Sequence, residues 1–316
     1  MREEKIMKRL QEHYDYLVAA GYEVVFTALQ GSQNYLLDEY SENYQSDIDS
    51  KSIVLPSLDD FVKARQPISA VEIMDNEEHT EVKDIRVMFE MFKKENISYI
   101  ELLYSDYVVF NPKYKEMIKP LFDRRDDIVA ANFEQFLNCI AGMAYEKDKA
   151  LCHPYPGIID KINKYGYDGK QLSHCARLLV FMNDIAAGKP IKDCYVPPLL
   201  FMPTLMNYKK QLDENGDPLL VEEAVRRSKI YVEEIRELKE NLLDDCDFKV
   251  DTEIYEFLDE LKAKILKYRI KQEVCLDLSA MLADMVYPDE EFKKAEAAAI
   301  AKMKVEPKNN IYDYYN

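Results

Sequence analysis

Residues 2–19 place Ile6, Leu10, Tyr14, Leu17 and Val18 at helical spacing, and Gly21 supplies a stop. The segment YEVVFTAL at 22–29 is short and β-prone and predicts a strand, and a second strand is expected over 47–55, ended by Pro56. A short helix follows at Leu58 to Ala64, then candidate strands over 69–75 and 79–84 around the acidic turn DNEE, then helix over 85–95 and 98–104. From about residue 126 the pattern is almost wholly helical, with Phe133, Phe136, Leu137 and Ile140 forming one stripe. The stretch LCHPYPGI breaks the chain at 151–158, a helix runs from Gly169 to Ala187, and Gly188 and Pro190 stop it. Residues 191–216 are irregular in part and run into the turn signal DENGDP. Long helices follow at about 218–244 and 251–285, and EEFKKAEAAAIAKMKV is helix-prone. There is no internal repeat. The change of pattern divides the chain into 1–125, with a small mixed sheet, and 126–316, all helical, and the junction is expected to form a cleft. The fold class is α+β.

Two features of the first unit carry chemistry. Gly31-Ser32 ends the first strand, and Ser46-Asp47-Ile48-Asp49 opens the next. Alternation along a strand puts Asp47 and Asp49 on one face. Two adjacent carboxylates repel unless a cation sits between them, and Mg²⁺ accepts carboxylates together with phosphate oxygens. Gly31 allows a close backbone approach, and Ser32 adds a hydroxyl and an N–H at a helix start, which suits a phosphate. The plainer reading is an edge strand with surface acids.

The ordered motifs GSQNYLLD and SDIDSKSIVLPS resemble the nucleotidyltransferase superfamily typified by DNA polymerase beta. They look closest to a branch of bacterial and phage proteins linked to RNA repair. Residues 165–179, YGYDGKQLSHCARLL, and 84–103, DIRVMFEMFKKENISYIELLYS, resemble two further segments of that branch, so the likeness runs from about 25 to 180. Gln33 and Leu36 depart from it: superfamily members often carry Arg or a small residue at the first position and Gly at the second. The resemblance implies a catalytic unit over 1–125 and a helical acceptor-binding unit over 126–316. It implies transfer of a nucleoside monophosphate from an NTP, ATP first among them, to an acceptor hydroxyl, with pyrophosphate released. It implies two Mg²⁺ ions, Mn²⁺ being the alternative, on Asp47, Asp49 and a third carboxylate. Glu81, in mid-strand with Lys83 on its face, is the expected third, with Asp84 second as a residue that also suits a helix cap. Gly31 and Ser32 would hold the β- and γ-phosphates. Lys170, His174 and Arg177, at i, i+4 and i+7 on one helical stripe, would bind triphosphate or acceptor, although a solvated basic edge has the same spacing. Asp168 either orients Lys170 or starts the helix. The acceptor implied is an RNA end, tRNA in particular. A protein or small-molecule acceptor, and a nucleotide-binding module without turnover, are the alternatives.

Composition adjusts these expectations. The formal net charge of −17 argues against binding long duplex DNA, which needs a basic surface, and mildly favours a protein or small-molecule acceptor. Six scattered cysteines without C-x-x-C spacing argue against a zinc ribbon and a disulfide framework and point to a reducing cytosol; the first ten residues are rich in charge, and no apolar run reaches the ~18 residues of a membrane span. A cytoplasmic protein with no membrane contact is expected. No P-loop and no G-x-S-x-G elbow is present. Lys51 either balances the acid cluster or points at solvent, and Arg86 is equally open. His153 is expected in an exposed loop and His13 on the surface. Arg226-Arg227 and Lys209-Lys210 read as ordinary charge pairs. Tyr35, Tyr40 and Tyr44 either stack a base or pack the loop.

Overall fold

The computed structural model describes residues 2–38, 46–244 and 249–286, with three residues beyond at 294, 297 and 298. Tyr40, Tyr44 and most of the helix-prone segment at 290–305 lie outside the described residues.

Helix α1 (Arg2–Ala19) leads into strand β1 (Glu23–Gln30), a single 3₁₀ turn at Ser32–Tyr35 and strand β2 (Asp49–Leu55). Helix α2 (Leu58–Val62) connects to the hairpin β3 (Ser69–Ile73) and β4 (His79–Asp84), then to α3 (Ile85–Lys93), α4 (Ile97–Ile100) and a 3₁₀ turn at Glu101–Tyr104. Strand β5 (Val108–Phe110) closes the sheet, whose order is β3-β4-β2-β1-β5. β2 and β4 run parallel and the other pairs antiparallel. β1 and β2 are almost wholly buried; β1 reads as a near-continuous apolar run, β2 buries Ser50, Lys51 and Ser52 ahead of Ile53, Val54 and Leu55, and β3 at the edge alternates.

The helical part comprises α5 (Lys115–Asp123), α6 (Arg125–Ala131), α7 (Phe133–Ala150), α8 (Ile159–Tyr165), α9 (Gly169–Ala186), α10 (Ile191–Cys194), α11 (Met202–Lys209), α12 (Val221–Asp244) and α13 (Thr252–Val286). α9 is the central helix, buried on most of its surface beneath α7, α11 and α12. Asp168 caps it, its side chain accepting from the Lys170 N–H. Gly169 has a structural reason of its own: a Cβ there would lie 2.0 Å from the Tyr208 carbonyl oxygen, so only glycine lets α9 and α11 approach this closely.

One hydrophobic cluster runs from Val25 and Phe26 in the sheet through Phe136 and Phe181 to Ile254 and Ile265. The long helix α13 packs back on α3, α5 and α6, so the sheet unit shares its core with the C-terminal helix. The elements expected from the sequence within the described residues are present. The three-residue β5, the nine-residue α5 and the short α8 were not among them, and the expected helix over 98–104 is α4 followed by a 3₁₀ turn.

Candidate functional site

Gly31 leaves β1 with φ 85° and ψ −151°, a conformation that side chains with a Cβ avoid, and a Cβ there would meet nothing within 4 Å. The glycine therefore serves the sharp turn and leaves open space above it. Leu36 ends the turn at φ 56°, in the left-handed region. A left-handed backbone favours glycine, so Leu36 holds this position under strain.

The turn also positions the aspartates. Gln33, 1% exposed, donates from Nε2 to the carbonyl oxygens of Ser46 (3.2 Å) and Asp47 (3.3 Å). Ile48, between the two aspartates, is fully buried against Ile6, Leu10, Leu29 and Val109. Asp47 is exposed and Asp49 half-exposed, so both carboxylates face solvent while the residue between them is anchored. Partial burial, then the charges of Asp49 and Glu78, raise the Asp47 carboxyl, opposed by His79 and Lys170. Asp49 and Glu78 put like charge beside Asp47, and oxygen donors open to solvent fit Mg²⁺, which keeps several waters and takes one or two carboxylates plus phosphate oxygens.

The expected third carboxylate is placed elsewhere. In the parallel β2–β4 register Glu81 lies opposite Lys51. Lys51 is 1% exposed and pairs with Glu81 at 2.9 Å, and its Nζ sits 3.8 Å from the Tyr99 ring centroid. Lys83 holds the same carboxylate at 2.9 Å from the other side. Burial would raise the Glu81 carboxyl, but Lys51 and Lys83 outweigh it and bring it below its ordinary value. Asp84 is fully buried, caps α3 through the Arg86 N–H and pairs with the Arg86 guanidinium at 2.7 Å. The residue beside Asp49 is His79, whose backbone N–H donates to Asp49 Oδ1 at 3.2 Å and whose Nδ1 lies 3.5 Å from it. Among the described residues no group of three or more His, Cys, Asp or Glu is arranged to hold a metal ion. The structure brings Asp47 and Asp49 together and does not bring Glu81 to them.

Across from the pair lies a cluster of basic groups on three helices. Lys170, His174 and Arg177 share a face of α9, joined by Lys147 from α7 and Lys209 from α11. Burial, followed by Arg177, Lys147, Lys170 and Lys209, pushes the His174 imidazole well below its ordinary value. Burial and then Lys170 lower Lys147. Lys209 Nζ donates to the Leu37 carbonyl at 2.6 Å, tying the cluster to the Gly31–Leu37 turn. Arg177 is 4% exposed, and its guanidinium lies 3.8 Å from the Tyr35 ring centroid. Among the described residues, its Nε and Nη1 are buried without a hydrogen-bond partner. Tyr35 donates its hydroxyl to Glu101, a buried carboxylate raised by that burial. With one face under Arg177, Tyr35 packs the turn. Lys147 and Lys209 lie outside the 165–179 motif, and only the packing of α7 and α11 on α9 brings them in.

Other residues have plainer places. His153 is exposed. Arg226 and Arg227 pair with Glu223, and Arg227 also with Glu214. His13, expected on the surface, is instead fully buried, bonded through Nδ1 to Ser50 Oγ at 2.9 Å and through Nε2 to Glu78 at 3.0 Å. A groove of about 630 Å³ between α5 and α13, lined by Lys264, Lys267 and Lys271, lies by Tyr268 at the Glu23 end of β1, opposite Gly31.

No helix among the described residues is long and apolar enough to cross a membrane. No protein-family profile matches the chain, and no curated protein does. Among solved structures it is similar to a nucleotidyltransferase-like protein from Exiguobacterium sibiricum 255-15, at 11% identity over 74% of each chain with a TM-score of 0.26. The mixed five-stranded sheet with its many helices is an α+β arrangement.

Proposed function

We propose that the protein is a metal-dependent nucleotidyltransferase that moves a nucleoside monophosphate from an NTP, ATP in the first instance, to a hydroxyl at an RNA end such as that of tRNA. One observation carries this reading: an open carboxylate pair faces a cluster of five basic side chains across a glycine turn, and Asp47 senses Lys170. A metal-bound triphosphate carries both charges that this arrangement lacks.

Asp47 and Asp49 would hold Mg²⁺ or Mn²⁺, which when bound supplies Lewis-acid polarisation of the reacting phosphate. Gly31 and Ser32 present backbone N–H groups to the β- and γ-phosphates. Lys147, Lys170, His174, Arg177 and Lys209 bind and neutralise the triphosphate, and pyrophosphate leaves into that cluster. Arg177 is the anchor, because its buried guanidinium offers N–H donors that nothing else in the described structure uses. Glu81 stays with Lys51 and Lys83 in this scheme; as a third carboxylate for a second ion it would have to leave both.

A second reading rests on that same placement. With Glu81 and Asp84 both engaged elsewhere, the chain would bind nucleotide and metal without turnover. Incubation with α-³²P-labelled NTPs, each tested separately with Mg²⁺, total tRNA and lysate, decides between them. Label in RNA that disappears in Asp47→Asn supports RNA-directed transfer. Label in protein moves the acceptor, and no label despite Mg²⁺-dependent NTP binding supports the binding module.

A further inference from the structure

The segment bearing the aspartates begins before β2 is paired. The β1–β2 ladder ends at Gln30↔Asp49, and the β2–β4 ladder begins at Ser50↔Thr80. Ile48 and Asp47 therefore lie beyond both ladders, and the direction of the Asp47 side chain depends on what holds the backbone there. Two side chains do so. Gln33 takes the carbonyls of Ser46 and Asp47, and Glu78 Oε1 accepts the Ile48 N–H at 3.3 Å. Glu78, 3% exposed, comes from the β3–β4 turn and is itself braced from α1. Its Oε2 accepts from Arg9 Nε at 2.9 Å and Nη2 at 2.8 Å, and lies 3.0 Å from His13 Nε2. His13 in turn bonds Ser50 Oγ, next to Asp49, and Ser50 donates to Thr80. Ile48 and Ser50, the two residues that flank Asp49 along the chain, are thus tied, through Glu78 and His13, to one helix.

We propose that Glu78, braced by Arg9 and His13, is the positioning residue of the aspartate pair, fixing the Ile48 amide so that Asp47 and Asp49 present their carboxylates to one cation. The proposal rests on the reading of Asp47 and Asp49 as the metal-holding pair. Glu78 is not a ligand: both of its oxygens are taken by Ile48, Arg9 and His13. Its action is to set the spacing of two other carboxylates, in the way that groups behind a metal's ligands commonly govern its affinity.

The discriminating variant is Arg9→Ala. Arg9 is a cation near the pair, so its loss acting through the field alone would tighten binding of a divalent cation. Acting through position, its loss frees Glu78 and weakens binding. Mn²⁺ binding to the full chain without nucleotide, followed by electron paramagnetic resonance, reads the sign directly. Arg9→Ala is expected to weaken Mn²⁺ binding about tenfold, and Glu78→Gln by as much or more, while affinity for inorganic tripolyphosphate stays within twofold. Hydrogen exchange at the Ile48 amide should quicken in Arg9→Ala. Should Glu78→Gln fail to fold, Arg9→Ala decides alone, since its side chain is 24% exposed. Unchanged or tighter Mn²⁺ binding in Arg9→Ala, with binding lost in Asp47→Asn, overturns the positioning role and leaves the metal pair standing. Unchanged binding in Asp47→Asn overturns the metal pair and this proposal with it.

Discussion

Replacing Arg177 with Met should leave the free protein as stable as before, or more stable, while crippling its hold on nucleotide. Met fills a similar volume without charge. In the free protein the guanidinium keeps Nε and Nη1 buried and unpartnered among the described residues, and each orphaned donor costs roughly 1–3 kcal/mol. Its stacking on Tyr35 at 3.8 Å contributes about 0.5–2 kcal/mol in the opposite direction. Glu101 loses a neighbouring cation as well, but burial already raises that carboxyl, so it can take a proton. The two orphaned donors match or outweigh the stacking, so the unfolding free energy should be unchanged or higher in the variant. Binding is another matter. Losing one partner of a buried guanidinium–phosphate pair costs roughly 3 kcal/mol, about 150-fold in Kd. Calorimetric titration with a non-hydrolysable ATP analogue in Mg²⁺, and with tripolyphosphate alone, measures the second quantity; denaturant unfolding measures the first. Arg177→Lys, which keeps the charge and loses the planar fork, should fall between. Unfolding that becomes easier by more than 2 kcal/mol, with nucleotide affinity within threefold of wild type, would falsify the assignment and make Arg177 a structural cation of the α9–Tyr35 contact.

Asp47→Asn should abolish label transfer with no loss of thermal stability, because it removes one of two repelling carboxylates; activity retained in that variant sinks the site. Glu95 is fully buried with both oxygens unpartnered among the described residues, and burial pushes its carboxyl up to about 9. The folded state therefore holds a proton that the unfolded state releases near pH 4.5, and stability should fall as pH rises from about 4.5 to about 9. By pH 7 the loss is about 3 kcal/mol; Glu95→Gln should flatten the profile in urea melts across that range, and an unchanged slope refutes the account. Leu36→Gly should stabilise by about 0.5–1 kcal/mol, since Leu36 sits at φ 56° and is 46% exposed; a loss of stability would show that its side chain packs to more purpose than its exposure suggests. Glu81→Gln should cost about 3 kcal/mol by stranding buried Lys51, yet leave Mn²⁺ affinity within threefold; a tenfold loss of Mn²⁺ affinity with stability unchanged would make Glu81 a ligand after all.

Local pattern made much of this legible. The strand–Gly–Ser turn, the paired aspartates and the α9 stripe are written in consecutive residues, where alternation and helical spacing decide which side chains share a face. Glu81 shows the limit. Its parity is right, since it does share a face with Lys51, but which residue of β4 stands beside Asp49 depends on the slide of two parallel strands joined through α2 and β3. That register puts His79 there and hands Glu81 to the lysines. Lys147 and Lys209 were hidden for a similar reason, because only the packing of three helices brings them to His174. His13 is different, and was readable. Ile6, Leu10 and Leu17 define the buried stripe of α1, and position 13 falls on it, so the periodicity already placed the imidazole inside.

The charges also say how the two halves of the site should speak to each other. On one side, burial and then Asp49 and Glu78 raise the Asp47 carboxyl; on the other, burial and then basic neighbours lower His174 and Lys147. Each half is strained by like charge, and neither can neutralise the other fully while a gap lies between them. A divalent cation alone relieves the first half and a polyphosphate alone the second, but a metal-bound triphosphate relieves both and adds the metal–phosphate bonds that bridge them. Metal and nucleotide should therefore bind with positive coupling, and by linkage the factor by which Mg²⁺ tightens ATP must equal the factor by which ATP tightens Mg²⁺. Arg177→Met should weaken nucleotide in the absence of metal, and Asp47→Asn should erase the coupling while leaving metal-free tripolyphosphate binding intact. If Asp47→Asn weakened tripolyphosphate as much as it weakened Mg²⁺–ATP, the carboxylate and the basic cluster would not be two halves of one site.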